Sequence, residues 1–160
     1  MEEDILAQPA RVLTQAQREF YFENGYLLLV GVIGDDWLTR LRSAMEDVVD
    51  RGRGMTKSDD AIWLEKGHSR SDPRLLRLNC PDAHHPEFWT YARKSILPDI
   101  AVDLVGPDVR YSHSLFNFKW AEVGQEVKWH QDIQFYPHTN YSPLSLGTMI
   151  EDIGPDQGPV

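Results

Sequence analysis

The sequence has almost no cysteine. Cys80 stands alone among 160 residues, so no disulfide can close within the chain and no cysteine-based metal site can form. A lone thiol suits a reducing, cytoplasmic setting. Clustered positive charge is also missing: 16 Lys and Arg face 25 Asp and Glu, a formal net charge of -9. Nucleic-acid affinity rests on concentrated Lys and Arg, so a phosphate-backbone binder is excluded. Long apolar runs are absent too. The longest, around "YLLLVGVI" from Tyr26 to Ile33, falls far short of the roughly 20 residues of a membrane-spanning helix. The acidic opening "MEEDILAQPARVL" lacks the layout of a secretory signal. Neither nucleic acid nor membrane is an expected partner, and oligomeric state cannot be read.

What is present is ordinary globular material, 41% hydrophobic and 26% charged, at about the length of one domain. Residues 1–160 are read as a single domain. Thr14 with Gln17 forms a capping-box pattern and Gly25 a helix stop, giving a helix over Gln15–Asn24 and then a strand over Tyr26–Val32. Asp35 or Asp36 caps a second helix, with Trp37, Leu41, Ala44, Met45 and Val48 on one face and Gly52 at its end. Residues 52–73 read as a long surface loop. A third helix begins at Pro86 and is kinked or divided by Pro98. From Val109 the period shifts to two: "VRYSHSLFNFKW", "VKWHQDIQFY" and "PLSLGTMIED" each alternate as strands do. Helices followed by antiparallel strands imply an α+β or mainly β fold.

The stretch "VKWHQDIQFYP", Val127 to Pro137, carries the chemistry. On a strand, His130 and Asp132 share a face with Lys128, Gln134 and Tyr136, opposite Trp129, Gln131, Ile133 and Phe135. An imidazole beside a carboxylate supplies two ligands of the facial triad that holds non-haem Fe(II) and leaves positions open. Alone, the HxD pattern is weak evidence, and a surface histidine beside an aspartate on a half-exposed strand is its usual meaning.

The wider stretch "WHQDIQFYPHTNYSPLSLGTMIEDIGPDQGPV" resembles the phytanoyl-CoA dioxygenase family of Fe(II)/2-oxoglutarate-dependent oxygenases. The matching parts are His130-Gln131-Asp132, the aromatic run Phe135-Tyr136-Pro137, the strand Leu144 to Ile153, and the turn Asp156-Gln157-Gly158. The earlier "FYFENGYLLLVGVI" looks like the family's opening helix and strand. The resemblance implies a double-stranded β-helix, a cupin-like jelly roll, with the N-terminal helices packed on one sheet. It implies Fe(II) held by His130 and Asp132, 2-oxoglutarate as cosubstrate, dioxygen, and hydroxylation of a small organic substrate. Asp132 stands where related halogenases have a small residue, which disfavours halogenation.

By the same resemblance, Leu115 and Asn117 lie where the family contacts 2-oxoglutarate, and Gln131 touches the cosubstrate from within the motif. A core leucine and a strand asparagine bonded to a neighbour are the plainer alternatives. Arg77 matches loosely a basic residue that reaches the site in some members. Gly147 replaces a tryptophan found in some relatives, which opens space. His113 could face the cavity, whereas His138, His84, His85 and His68 read as loop histidines. The family's third ligand, a second histidine in a "PGSH"-like turn, and its 2-oxoglutarate-anchoring arginine follow the Asp156–Gly158 turn. Neither occurs before Val160, so the expectation is the N-terminal portion of an oxygenase, with the jelly roll incomplete at its C-terminus. A non-catalytic remnant used for binding or dimerisation is the alternative function. A cupin-like isomerase or sugar-binding jelly roll would need further His and Glu ligands on neighbouring strands, and no "GxxxxxHxH" spacing occurs.

Overall fold

The computed structural model describes residues 2–120, 128–135 and 142–155. Its elements run α1 (Glu2–Leu6), α2 (Gln15–Asn24), α3 (Asp35–Gly52), β1 (Ile62–Leu64), β2 (Leu75–Asn79), α4 (Pro81–His84), α5 (Pro86–Lys94), α6 (Leu97–Val105) and β3 (Leu115–Asn117). A 3-10 turn follows at Asp132–Phe135. The chain forms two compact units, one from residues 1–34, 91–111 and 130–147, the other from 35–90, 112–129 and 148–160.

In the first unit, α1, α2 and α6 pack on one another. The capping box forms as the sequence predicts: Gln17 N donates to Thr14 Oγ1, and Thr14 N donates to Gln17 Oε1 at 2.8 Å. Gly25 ends α2 with φ 79°, a left-handed conformation that costs glycine little. Leu13, Ile100 and Leu104 form the core, with Tyr21, Leu27, Leu29 and Leu144 packed against it. Burial raises the pKa of the Tyr21 hydroxyl above its ordinary value.

Two charged groups sit inside this unit, Asp103 and Arg18, each 2% exposed. The Asp103 carboxylate accepts the backbone N–H groups of Arg11, Val12 and Leu13 at 2.7, 2.9 and 2.8 Å. Three successive amides thus cradle one anion. Arg18 Nε donates to the Asp103 carbonyl oxygen, and its terminal nitrogens donate to the carbonyls of Gln8 and Ile5. Burial alone would raise the Asp103 pKa, yet the three amides and the nearby guanidinium outweigh it and hold the carboxyl below its ordinary value.

In the second unit the strands form an antiparallel sheet in the order β1-β2-β3. Leu41, Ala44 and Val48 on α3 are buried, as are Leu75, Leu78, Phe88 and Phe118. A Cβ on Gly52 would lie 3.2 Å from the Leu75 side chain, so α3 ends in close approach to the sheet. Phe88 on α5 meets Phe116 on β3 edge-on at 4.9 Å. Phe118 stacks on Trp120, whose Nε1 donates to the Leu75 carbonyl. Phe116 on β3 therefore packs against α5.

Several expectations change. The Tyr26–Val32 segment keeps the alternation of a strand, with Leu27 and Leu29 partly buried and Tyr26, Leu28 and Val30 exposed, but it pairs with nothing among the described residues. The loop 52–73 is not featureless, because it carries β1 and is tied by His68, whose ring nitrogens meet Met55 O and the Arg74 backbone. Pro98 divides the third helix into α5 and α6. Of the segments read as strands after Val109, only Leu115–Asn117 joins a ladder among the described residues. Strand geometry needs a hydrogen-bonding neighbour as well as alternation. At the level observed, the fold is α+β: helices with a small antiparallel sheet.

Candidate metal and cosubstrate site

The His130–Asp132 pair lies in the first unit, but not on a strand. Residues 128–131 are irregular, and Asp132 opens the 3-10 turn Asp132–Phe135, with Gln134 N bonded to Gln131 O. A turn brings the two side chains together more directly than the i, i+2 spacing of a strand. His130 Nε2 and an Asp132 carboxylate oxygen lie 3.2 Å apart, with both side chains partly exposed. Ser145 Oγ donates to the other Asp132 oxygen at 2.8 Å. The alternation expected of a strand fails at Phe135, whose ring packs edge-on against His130 at 5.5 Å instead of facing away. Gln131 is exposed between the pair. Tyr136, Pro137, His138 and the Asp156–Gly158 turn lie outside the described residues.

The donor set, an imidazole nitrogen and a carboxylate oxygen, fits a divalent transition-metal ion. Ligands at right angles on a six-coordinate ion with bonds of about 2.1 Å sit about 3 Å apart, close to the 3.2 Å between these donors. Neutral imidazole and carboxylate are the donors that Fe(II) takes in facial sites. The Ser145 contact fixes the carboxylate's distal oxygen and leaves the proximal one beside the imidazole, the outer support such ligands usually have. Among the described residues no third His, Cys, Asp or Glu joins the two. Ser145 was not singled out by sequence reasoning, since nothing local connects it to a carboxylate 13 residues earlier.

The remaining predicted residues lie on the sheet of the second unit. Arg77 pairs with Asn117, and Asn79 with Leu115, so all four belong to one face of β2–β3. Asn117 Oδ1 accepts from Arg77 Nε at 3.0 Å. Trp63, the register partner of Arg77 on β1, lies under its guanidinium with 5.2 Å from Cζ to the ring centroid. The loosely matched Arg77 is thus joined to the more firmly expected Asn117.

A Cβ on Gly147 would meet no described atom within 4 Å. His113 Nδ1 lies 3.1 Å from Ser112 Oγ. His85, read as an unremarkable loop residue, accepts from Glu87 N and packs edge-on against Phe88. A recess of about 640 Å³ lies between residues 53–58 and 64–70, with His68 in its lining. No helix among the described residues is long and apolar enough to cross a membrane.

Comparison with known proteins bears on this geometry. The family model for phytanoyl-CoA dioxygenase matches residues 21–160. A probable alpha-ketoglutarate-dependent hypophosphite dioxygenase of Stutzerimonas stutzeri is 24% identical over 147 residues, which cover 92% of this chain and 51% of that protein. The peroxisomal phytanoyl-CoA dioxygenase of Rattus norvegicus is 25% identical over 132 residues, 79% of this chain and 39% of its own length. A probable phytanoyl-CoA dioxygenase of Caenorhabditis elegans is 25% identical over 136 residues, 79% of this chain and 43% of its length. The chain therefore spans about half the length, or less, of these curated relatives. No solved structure matches it.

Proposed function

The chain belongs to the phytanoyl-CoA dioxygenase family, and from that membership we propose that it serves an Fe(II)- and 2-oxoglutarate-dependent dioxygenase that hydroxylates a small organic molecule. The observation that carries the reading is the His130–Asp132 donor pair, 3.2 Å apart, within the matched residues. His130 and Asp132 hold the metal: the imidazole Nε2 gives a neutral donor, and the carboxylate offsets part of the cation's charge. Ser145 keeps that carboxylate oriented. When bound, Fe(II) with 2-oxoglutarate supplies the oxidising power that dioxygen chemistry needs. Because Asp132 fills its position with an oxygen ligand, hydroxylation is favoured over halogenation.

The sheet face with Leu115, Asn117 and Arg77 is the proposed cosubstrate surface, Arg77 providing the charge and Leu115 an apolar neighbour. Gln131 adjoins the metal pair and is read as a further cosubstrate contact. The helices and three-stranded sheet are read as part of a double-stranded β-helix. Cys80, an exposed free thiol, suits a reducing, cytoplasmic location.

The test is anaerobic titration of the purified chain with Fe(II). His130→Ala and Asp132→Ala should each weaken binding at least about 10-fold, since even outer-shell losses cost about 10- to 100-fold. Affinity equal to wild type in both variants would remove the pair from the metal site.

A further inference from the structure

We infer that Trp63 is a positioning residue for Arg77 and that, with Asn117, it presents the arginine's two terminal nitrogens to a carboxylate of 2-oxoglutarate. This rests on the cosubstrate reading of the sheet face given above. The three residues form one cross-strand row, Trp63 opposite Arg77 and Arg77 opposite Asn117. Each acts on a different part of the guanidinium. Asn117 Oδ1 takes the Nε proton at 3.0 Å. The guanidinium carbon lies over the indole ring, 5.2 Å from Cζ to centroid, within the range of a cation–π contact.

That leaves Nη1 and Nη2, and no acceptor among the described residues engages them. Two parallel N–H donors on a fixed fork match a carboxylate in bidentate geometry. A long side chain on an open sheet face would otherwise sample many rotamers and lose that freedom on binding. The row removes the freedom beforehand. It also gives a role to an exposed tryptophan, 41% accessible on an otherwise short edge strand. With Oδ1 committed to Arg77, the Asn117 amide nitrogen is left to donate. Leu115, two residues away on the same face, provides an apolar neighbour for the ligand's methylenes.

The test uses the ¹⁵N-labelled 160-residue chain and follows the Arg77 Nε–Hε resonance during titration with 2-oxoglutarate. Trp63→Leu should weaken binding about 2- to 5-fold, the worth of an exposed cation–π contact, and should move the Hε signal as the ring current is lost. Trp63→Phe, which keeps a ring, should restore most of the affinity. Arg77→Ala should weaken binding about 10-fold or more, through loss of a charge-assisted pair. Wild-type affinity in Trp63→Leu beside a weakened Arg77→Ala would overturn the positioning role and leave the cosubstrate reading standing. Wild-type affinity in Arg77→Ala, or no response of wild type to 2-oxoglutarate, would overturn both. Should Trp63→Leu fail to fold, Arg77→Lys decides: it keeps the charge without the flat fork, and unchanged affinity would refute the inference.

Discussion

Replacing Asp103 by asparagine should destabilise the first unit by about 2–4 kcal/mol at neutral pH, because the amide cannot accept all three N–H groups. One carboxylate oxygen receives Val12 and Leu13 N–H and the other receives Arg11 N–H. An amide oxygen can keep the first pair, but its nitrogen then faces the Arg11 amide, donor against donor. One hydrogen bond is lost and two lose their charge assistance, where bonds to charged groups contribute about 1.5–3 kcal/mol each. The effect must depend on pH. The folded carboxyl lies below its ordinary value, so its contribution is fully present above about pH 4, the unfolded value. It is lost as pH falls through the depressed folded value. Urea unfolding followed by far-UV circular dichroism at pH 7 and pH 3 would show a gap between wild type and Asp103→Asn that narrows in acid. A gap below about 0.5 kcal/mol at pH 7, or one that does not narrow, would refute the argument that an ionised Asp103 holds residues 11–13.

Two further outcomes test the packing. Gly25→Ala should cost about 1 kcal/mol, since φ 79° is left-handed backbone that a Cβ disfavours although no neighbour lies within 4 Å; thermal melting should show a lowered midpoint. Phe88→Ala should cost about 3–5 kcal/mol by opening a cavity against Phe116. A loss below about 1 kcal/mol in denaturant would mean that the ring pair does not hold β3 to α5.

The parts of the fold legible in the sequence are those whose signals act over a few residues. Thr14, Gln17 and Gly25 delimit α2 because caps are local chemistry. Pro98 splits α5 from α6 because its missing N–H acts on its own turn. β2 escaped notice because Leu75 and Leu78 are both buried around a register irregularity at Trp63/Leu64, which breaks the period of two. The extended Tyr26–Val32 segment was over-read for the opposite reason: its alternation is real, but no ladder follows from alternation alone. Asp103 was invisible as a structural residue, since its amide partners lie about 90 positions away. The candidate site divides in the same way. His130 and Asp132 were legible as a pair from their spacing, although a turn and not a strand joins them. Ser145 and Trp63 were not, because each acts through a partner set by tertiary structure.

A formal charge of -9 argues against steering of a dianion from a distance, yet it does not argue against a bound one. Exposed charges are screened beyond about 8 Å at physiological ionic strength, so the overall charge mainly governs how fast a small dianion arrives. Once it arrives, affinity depends on what lies within hydrogen-bond reach. There Arg77, backed by Trp63 and Asn117, is a cation with its terminal donors available among the described residues. A polyanion binder needs many cations along a surface, and 16 Lys and Arg against 25 Asp and Glu do not supply them. A small dicarboxylate needs only one well-held arginine, and Arg77 is the candidate for it.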